Sequence, residues 1–143
     1  MGPATNVLVD VVGYYVPESQ QSVWEGIPSG TTVVGNHFFG QTSVVGNVFT
    51  GSIAVPGVAI VPLATATANF ATDVHAQTTD DDALCTGSYD APTAPPGRFC
   101  AYVGIVSALT GVNVFANDGL VAFIATASGV SPALSFTWAY TAP

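Results

Sequence analysis

Turn residues cut this chain into short pieces, and that constrains its fold more than any other feature. Pro28-Ser29-Gly30, Gly40, Gly51, Pro56-Gly57, Pro96-Gly97, Asn117-Asp118-Gly119 and Gly129 recur at short intervals. Val, Thr, Ile, Phe and Tyr dominate the stretches between them, and these residues suit a pleated, half-buried surface. Helix formers are scarce: there is no Lys, one Met (Met1) and only two Glu (Glu18 and Glu25). Many short strands with frequent turns predict an all-β fold, an antiparallel β-sandwich of jelly-roll-like form. Hairpin-length connections set neighbouring strands antiparallel.

The clearest strand is "LSFTWAYT", Leu134 to Thr141. Leu134, Phe136, Trp138 and Tyr140 share one face, and Ser135, Thr137, Ala139 and Thr141 share the other, so the alternation predicts one buried and one wet face. "LVAFIATA" (Leu120 to Ala127) and "FCAYVGIVS" (Phe99 to Ser107) are apolar on both faces, as central strands are. Asn117-Asp118-Gly119, between "VNVFA" and "LVAFIATA", is a hairpin signal. "VVGNHFFG" (Val33 to Gly40) is echoed by "VVGNVFTG" (Val44 to Gly51), which predicts two successive strands with similar bulges at Gly35 and Gly46.

Charged residues make up 7% of the chain, against an average of about 25%. A membrane helix needs about 20 mostly apolar residues, and the best stretch, Val48 to Ala71, is interrupted by Gly51, Pro56, Gly57 and Pro62. Membrane insertion is therefore not expected. The formal net charge is −8, and Arg98 is the single basic residue other than the two His. Nucleic-acid binding requires Lys and Arg to neutralise phosphates, so that class is excluded. Surface polarity must come from Thr, Ser, Asn and Gln, as on secreted, cell-envelope and virion proteins. Met1-Gly2-Pro3 lacks the basic segment and apolar run of a signal peptide, so a trimmed chain or another export route is expected.

The 143 residues suit one domain. We expect it over residues 23–143, behind a linker at 18–22 ("ESQQS") and an N-terminal strand at 1–17. "TNVLVDVVGYYVP" (Thr5 to Pro17) is apolar on both faces and needs cover. We expect it to pair within the domain, to be the last strand of a preceding module, or to insert into a neighbouring subunit by β-augmentation, with Val7, Val9, Val11, Tyr14 and Tyr15 as the self-association candidates. This segment resembles the "NVIVDVxGYF" closing strand of actinobacterial surface proteins. "IPSGTTVVG" (Ile27 to Gly35), the loop from Cys85 to Cys100 and the ending "WAYTAP" (Trp138 to Pro143) resemble a C-terminal β-module found in that context. The aromatic final strand is also similar to that of C1q/TNF-like heads, a resemblance that implies a trimeric jelly roll.

Most of the chain's unusual chemistry sits in "TTDDDALCTGSYDAPTAPPGRFCAYV", Thr78 to Val103. Cys85 and Cys100 are read as one disulfide, which places the chain in an oxidising compartment and staples a loop that Pro92, Pro95, Pro96 and Gly97 keep out of regular pairing. Arg98 is expected to pair with Asp90 or with the Asp80 to Asp82 run. Clustered carboxylates suit calcium, and Asp80 and Asp82 fall on one side of an extended segment, so they are the candidate calcium ligands; the plainer reading is a solvated acidic turn. The spacing of His75, Cys85 and Cys100 fits no zinc site. His37 reads as a strand residue at a sheet edge or interface. His75 alternates with Asp73 and Gln77 on a solvated strand face. Glu18, Glu25, Asp73 and Asp90 form no recognisable glycosidase pair. No nucleophile, base and orienting group come together, so catalytic residues and an enzyme are not expected.

The function expected is that of a structural or adhesive extracellular module on a cell surface or virion. It would self-associate as a trimeric head, or as a fibre by strand exchange. The alternative is a carbohydrate- or ligand-binding head, calcium-assisted, in which Trp24, Tyr89 or Tyr102 stacks on sugar rings.

Overall fold

The computed structural model describes residues 26–53, 55, 63, 67–72, 78, 80–117 and 120–143. The Thr5 to Pro17 segment with Val7, Val9, Val11, Tyr14 and Tyr15, the 18–22 linker, Trp24, Asp73 and His75 lie outside them. The strands are β1 (Thr32–Gly40), β2 (Val48–Ile53), β3 (Ala68–Ala71), β4 (Asp81–Asp82), β5 (Arg98–Ser107), β6 (Leu109–Asn117), β7 (Leu120–Ala127) and β8 (Ala133–Thr141). They form two packed sheets, a five-stranded one in the order β1-β8-β5-β3-β4 and a three-stranded one in the order β2-β7-β6. The fold is thus an all-β sandwich. β5 and β7 are interior strands, as their apolar sequences predict.

The main ladders are antiparallel: β1 with β8, β5 with β8, β2 with β7, and β6 with β7. The last closes at Asn117↔Leu120, the register of the predicted hairpin. One flank departs from the expected pattern, because β3 runs parallel to both β5 and β4. β4 and β5 are parallel strands on either side of β3, and residues 83–97 form the long crossover from one to the other.

The inward face of β8 carries Leu134, Phe136, Trp138 and Tyr140, all buried. They join Phe70, Phe99, Val112, Val114, Val121 and Phe123 between the sheets. Each such side chain stabilises the fold by about 1.5–3 kcal/mol on burial. Ring pairs add direction: Phe99 stacks on Trp138 at 5.3 Å, and Phe70 meets Phe136 edge-on at 5.6 Å. His37 sits on the edge strand β1, as expected, with its ring between Phe123 (5.0 Å) and Phe136 (5.2 Å). Burial lowers its pKa.

The chain passes from β5 in one sheet to β6 in the other through Ala108 alone, held at φ 51°. The Ala108 carbonyl accepts a hydrogen bond from the Ser128 N–H at 2.8 Å. Strands that change sheets make such corners.

The repeated "VVGN" does not make two bulged strands. The first copy lies in β1, where Gly35 stays in register opposite Trp138. A β-carbon built there would overlap the Trp138 ring, so this glycine makes room for the ring. The second copy is a turn, with Gly46 at φ 91° and the Asn47 N–H donating to the Val44 carbonyl at 3.1 Å. Gly51 repeats the first solution, opposite Phe123. The true irregularity of the large sheet is in β5, between Val103 and Ile105. No helix among the described residues is long and apolar enough to cross a membrane.

Candidate functional site

The hydroxyl face of β8 is covered, contrary to its predicted wet character. Ser135, Ala139 and Thr141 are buried, because the 83–97 crossover folds over the outer surface of β5 and β8. The Thr137 hydroxyl donates to the Tyr89 carbonyl at 2.7 Å, and the Thr141 hydroxyl to the Ala94 carbonyl at 2.7 Å. The Tyr89 and Ser135 hydroxyls bond at 3.1 Å. Small hydroxyl side chains serve here as tethers for loop carbonyls rather than as a hydrated face.

Beneath the loop lies a second small core of Ala71, Cys85, Cys100 and Tyr102, with Ala94 against it. Cys85 and Cys100 are joined as a disulfide with a Cα–Cα distance of 5.5 Å. Such bonds form and persist in oxidising surroundings. The Tyr102 hydroxyl donates to the Thr93 carbonyl at 2.5 Å and accepts from the Gly87 N–H at 2.9 Å. With only 4% of its surface exposed, Tyr102 is a structural pin and not the sugar-stacking aromatic considered above. Its alternation with Cys100 on the loop-facing side of β5 was the available sequence signal. Tyr89 is partly exposed, and its ring lies where a side chain on Gly104 would stand.

The acidic run divides its work among different partners. Asp80 accepts from the Val114 N–H of β6 at 2.9 Å. Burial raises its pKa to about 6, against the opposing pull of that hydrogen bond. Asp81 accepts from the Thr78 hydroxyl at 2.7 Å. Asp82 pairs with Arg98, and it also accepts from Asn69 Nδ2 at 3.2 Å and from the Leu84 N–H at 2.8 Å. Of the two partners anticipated for Arg98, the structure selects the acidic run. Asp80 faces the small sheet, whereas Asp82 faces the start of β5, so the two candidate calcium ligands have separate hydrogen-bonding partners. Among the described residues, no group of three or more His, Cys, Asp or Glu side chains is placed to hold a metal ion.

The other distinctive surface is apolar. Phe38 (70% exposed), Val44, Val45, Val48, Ile105 and Val130 are large exposed hydrophobic residues. They lie toward the end of the sandwich where β1 leads to β2 and β7 leads to β8, with Phe38 and Ile105 in the large sheet, Val48 in the small sheet and Val44, Val45 and Val130 in the loops. Phe38 and Ile105 flank Ser135 across three strands. The Ser43 N–H donates to the Val130 carbonyl at 2.9 Å, which ties the two loops together. The sequence hid this grouping because its members are scattered from residue 38 to residue 130.

No protein-family model matches the chain, and no curated protein or solved structure matches it either.

Proposed function

We propose that this chain is a structural and adhesive β-module, exported to an oxidising environment at a cell surface or virion, that works through contact surfaces and self-association rather than catalysis. The observation that carries this reading is the apolar end formed by Phe38, Val44, Val45, Val48, Ile105 and Val130. A concentration of exposed apolar residues at one end of a small domain marks an interaction surface, and a second copy of the chain is the partner it suits. The net charge of −8 keeps the rest of the surface soluble. The disulfide and the resemblance to actinobacterial surface modules and C1q/TNF-like heads support the same reading.

Light scattering at low protein concentration tests it. A stable oligomer is expected, trimeric if the resemblance to C1q/TNF-like heads extends to assembly. Replacing Val45 and Val130 by Asp should lower the mass. A clean monomer in the unmodified protein would overturn self-association. The glycan-binding alternative has Tyr89 as its described aromatic. Binding on a glycan array that is lost with EDTA would favour it instead.

A further inference from the structure

β1 has none of the features that keep sheet edges apart. It runs nine residues without a charge or a proline, and its ladder to β8 has no register shift. Long, flat, uncharged edges of this kind are templates for another strand. The other edges differ. β4 has two residues and β2 has six, while β6 is engaged by Asp80 at Val114 and by the Thr78↔Val112 bridge. Among the described residues, nothing pairs with the outer edge of β1.

The hydrogen bonds that bracket β1 fix which groups face that edge. The Ala142 N–H donates to the Thr31 carbonyl at 3.0 Å, and the Gln41 N–H donates to the Pro132 carbonyl at 3.2 Å. Bonded and non-bonded positions alternate along an antiparallel ladder. Val33, Gly35, His37 and Phe39 therefore bond to β8, and Thr32, Val34, Asn36, Phe38 and Gly40 turn their N–H and C=O groups outward. The same residues carry the exposed face of the strand.

We infer that β1 pairs edge to edge, antiparallel, with β1 of a second copy about a twofold axis at Asn36. This rests on the self-association reading above and gives it a surface and a symmetry, a dimer in place of a threefold head. The register sets Asn36 opposite Asn36, Val34 opposite Phe38 and Thr32 opposite Gly40, so every outward-turned position meets another. Val34 and Phe38, 57% and 70% exposed, become β-branched and aromatic cross-strand neighbours, a favourable pair. Charge favours the same edge. Three of the four described carboxylates, Asp80, Asp81 and Asp82, lie on β4 or just before it, and β4 is four strand spacings from β1, about 19 Å. Two copies of a chain with net charge −8 thus approach here without opposing the Asp80 to Asp82 run.

Cysteine cross-linking of the full chain tests the register, since among the described residues no cysteine is free. In this dimer an Asn36→Cys variant brings its thiols together with Cα atoms about 5.5 Å apart, within disulfide range. A Val34→Cys variant leaves them about 14 Å apart along the strands. Mild oxidation should convert Asn36→Cys, and not Val34→Cys, to a covalent dimer. Val34→Lys, at an exposed position, should weaken dimerisation about tenfold or more in sedimentation while leaving the circular dichroism spectrum unchanged. If the unmodified protein is an oligomer but Asn36→Cys does not cross-link and Val34→Lys has no effect, this edge is the wrong surface and self-association stands. If the unmodified protein is monomeric throughout the micromolar range, both are overturned.

Discussion

Replacing both cysteines, Cys85→Ala with Cys100→Ala, measures what the staple contributes. The bond spans 15 residues, and closing such a loop removes about 10 cal/mol/K from the unfolded chain, or about 3 kcal/mol at 25 °C. Both sulfurs are also buried in the small core under the loop, so their loss adds about 1 kcal/mol. A domain of this size loses about 2–4 °C of Tm per kcal/mol, which gives an expected fall of about 10 °C. Trypsin supplies an independent readout, because Arg98 is the only Lys or Arg in the chain and stands between the two cysteines. Cleavage there proceeds through opening of the loop and the start of β5. If the loss of about 3 kcal/mol falls on that opening, cleavage accelerates about a hundredfold. A Tm lowered by less than about 2 °C, with an unchanged cleavage rate, would refute the view that the loop is held by the disulfide rather than by its hydrogen bonds alone.

Tyr102→Phe keeps the ring and removes the hydroxyl that joins Gly87 to Thr93; denaturant unfolding should show a loss of about 1–3 kcal/mol. Asp80→Asn keeps an oxygen to accept from the Val114 N–H but removes a carboxylate whose pKa is raised from 3.8 to about 6. The fold holds this proton up to about pH 6 while the unfolded chain releases it near pH 4, so wild-type stability attributable to this group falls as pH rises through that window. The variant should be the more stable above pH 6, by about 1 kcal/mol after discounting for solvent screening, and the two unfolding curves should converge near pH 4. Ala108→Gly relieves a residue held at φ 51°; a gain of about 0.5–1 kcal/mol, net of glycine's greater entropy when unfolded, is expected in thermal unfolding.

The strands were legible wherever apolar alternation or continuity ran for eight residues. Leu134 to Thr141 shows the right face to the core, and Phe99 to Ser107 and Leu120 to Ala127 are interior strands. The disulfide was legible because the chain has two cysteines and one loop in need of closure. The covered face of β8 was not. Ser135, Thr137 and Thr141 have the composition of a wet face, and their loop partners lie 46 to 48 residues away, a separation at which local pattern carries no information. The "VVGN" echo failed for a related reason. One tetrapeptide serves as strand in β1 and as turn before β2, since tertiary pairing outweighs local preference. The acidic run was read by its spacing, but its partners come from β3, β5 and β6, which only the fold brings near.

The two flanks of the sandwich solve the edge problem differently. On the β3 and β4 side the large sheet ends in strands of four and two residues, with Asp82, Asn69 and Arg98 bonded to one another. The stapled crossover covers the adjoining outer face. Short strands, charges and a covering loop are ways of closing a sheet. The β1 side has a nine-residue strand with none of these, next to the apolar end. A chain with 7% charged residues has few charges with which to guard its edges, and among the described residues they are concentrated on the closed flank. On the self-association proposed above, the β3 and β4 flank is the closed one and the β1 edge is left for a second copy.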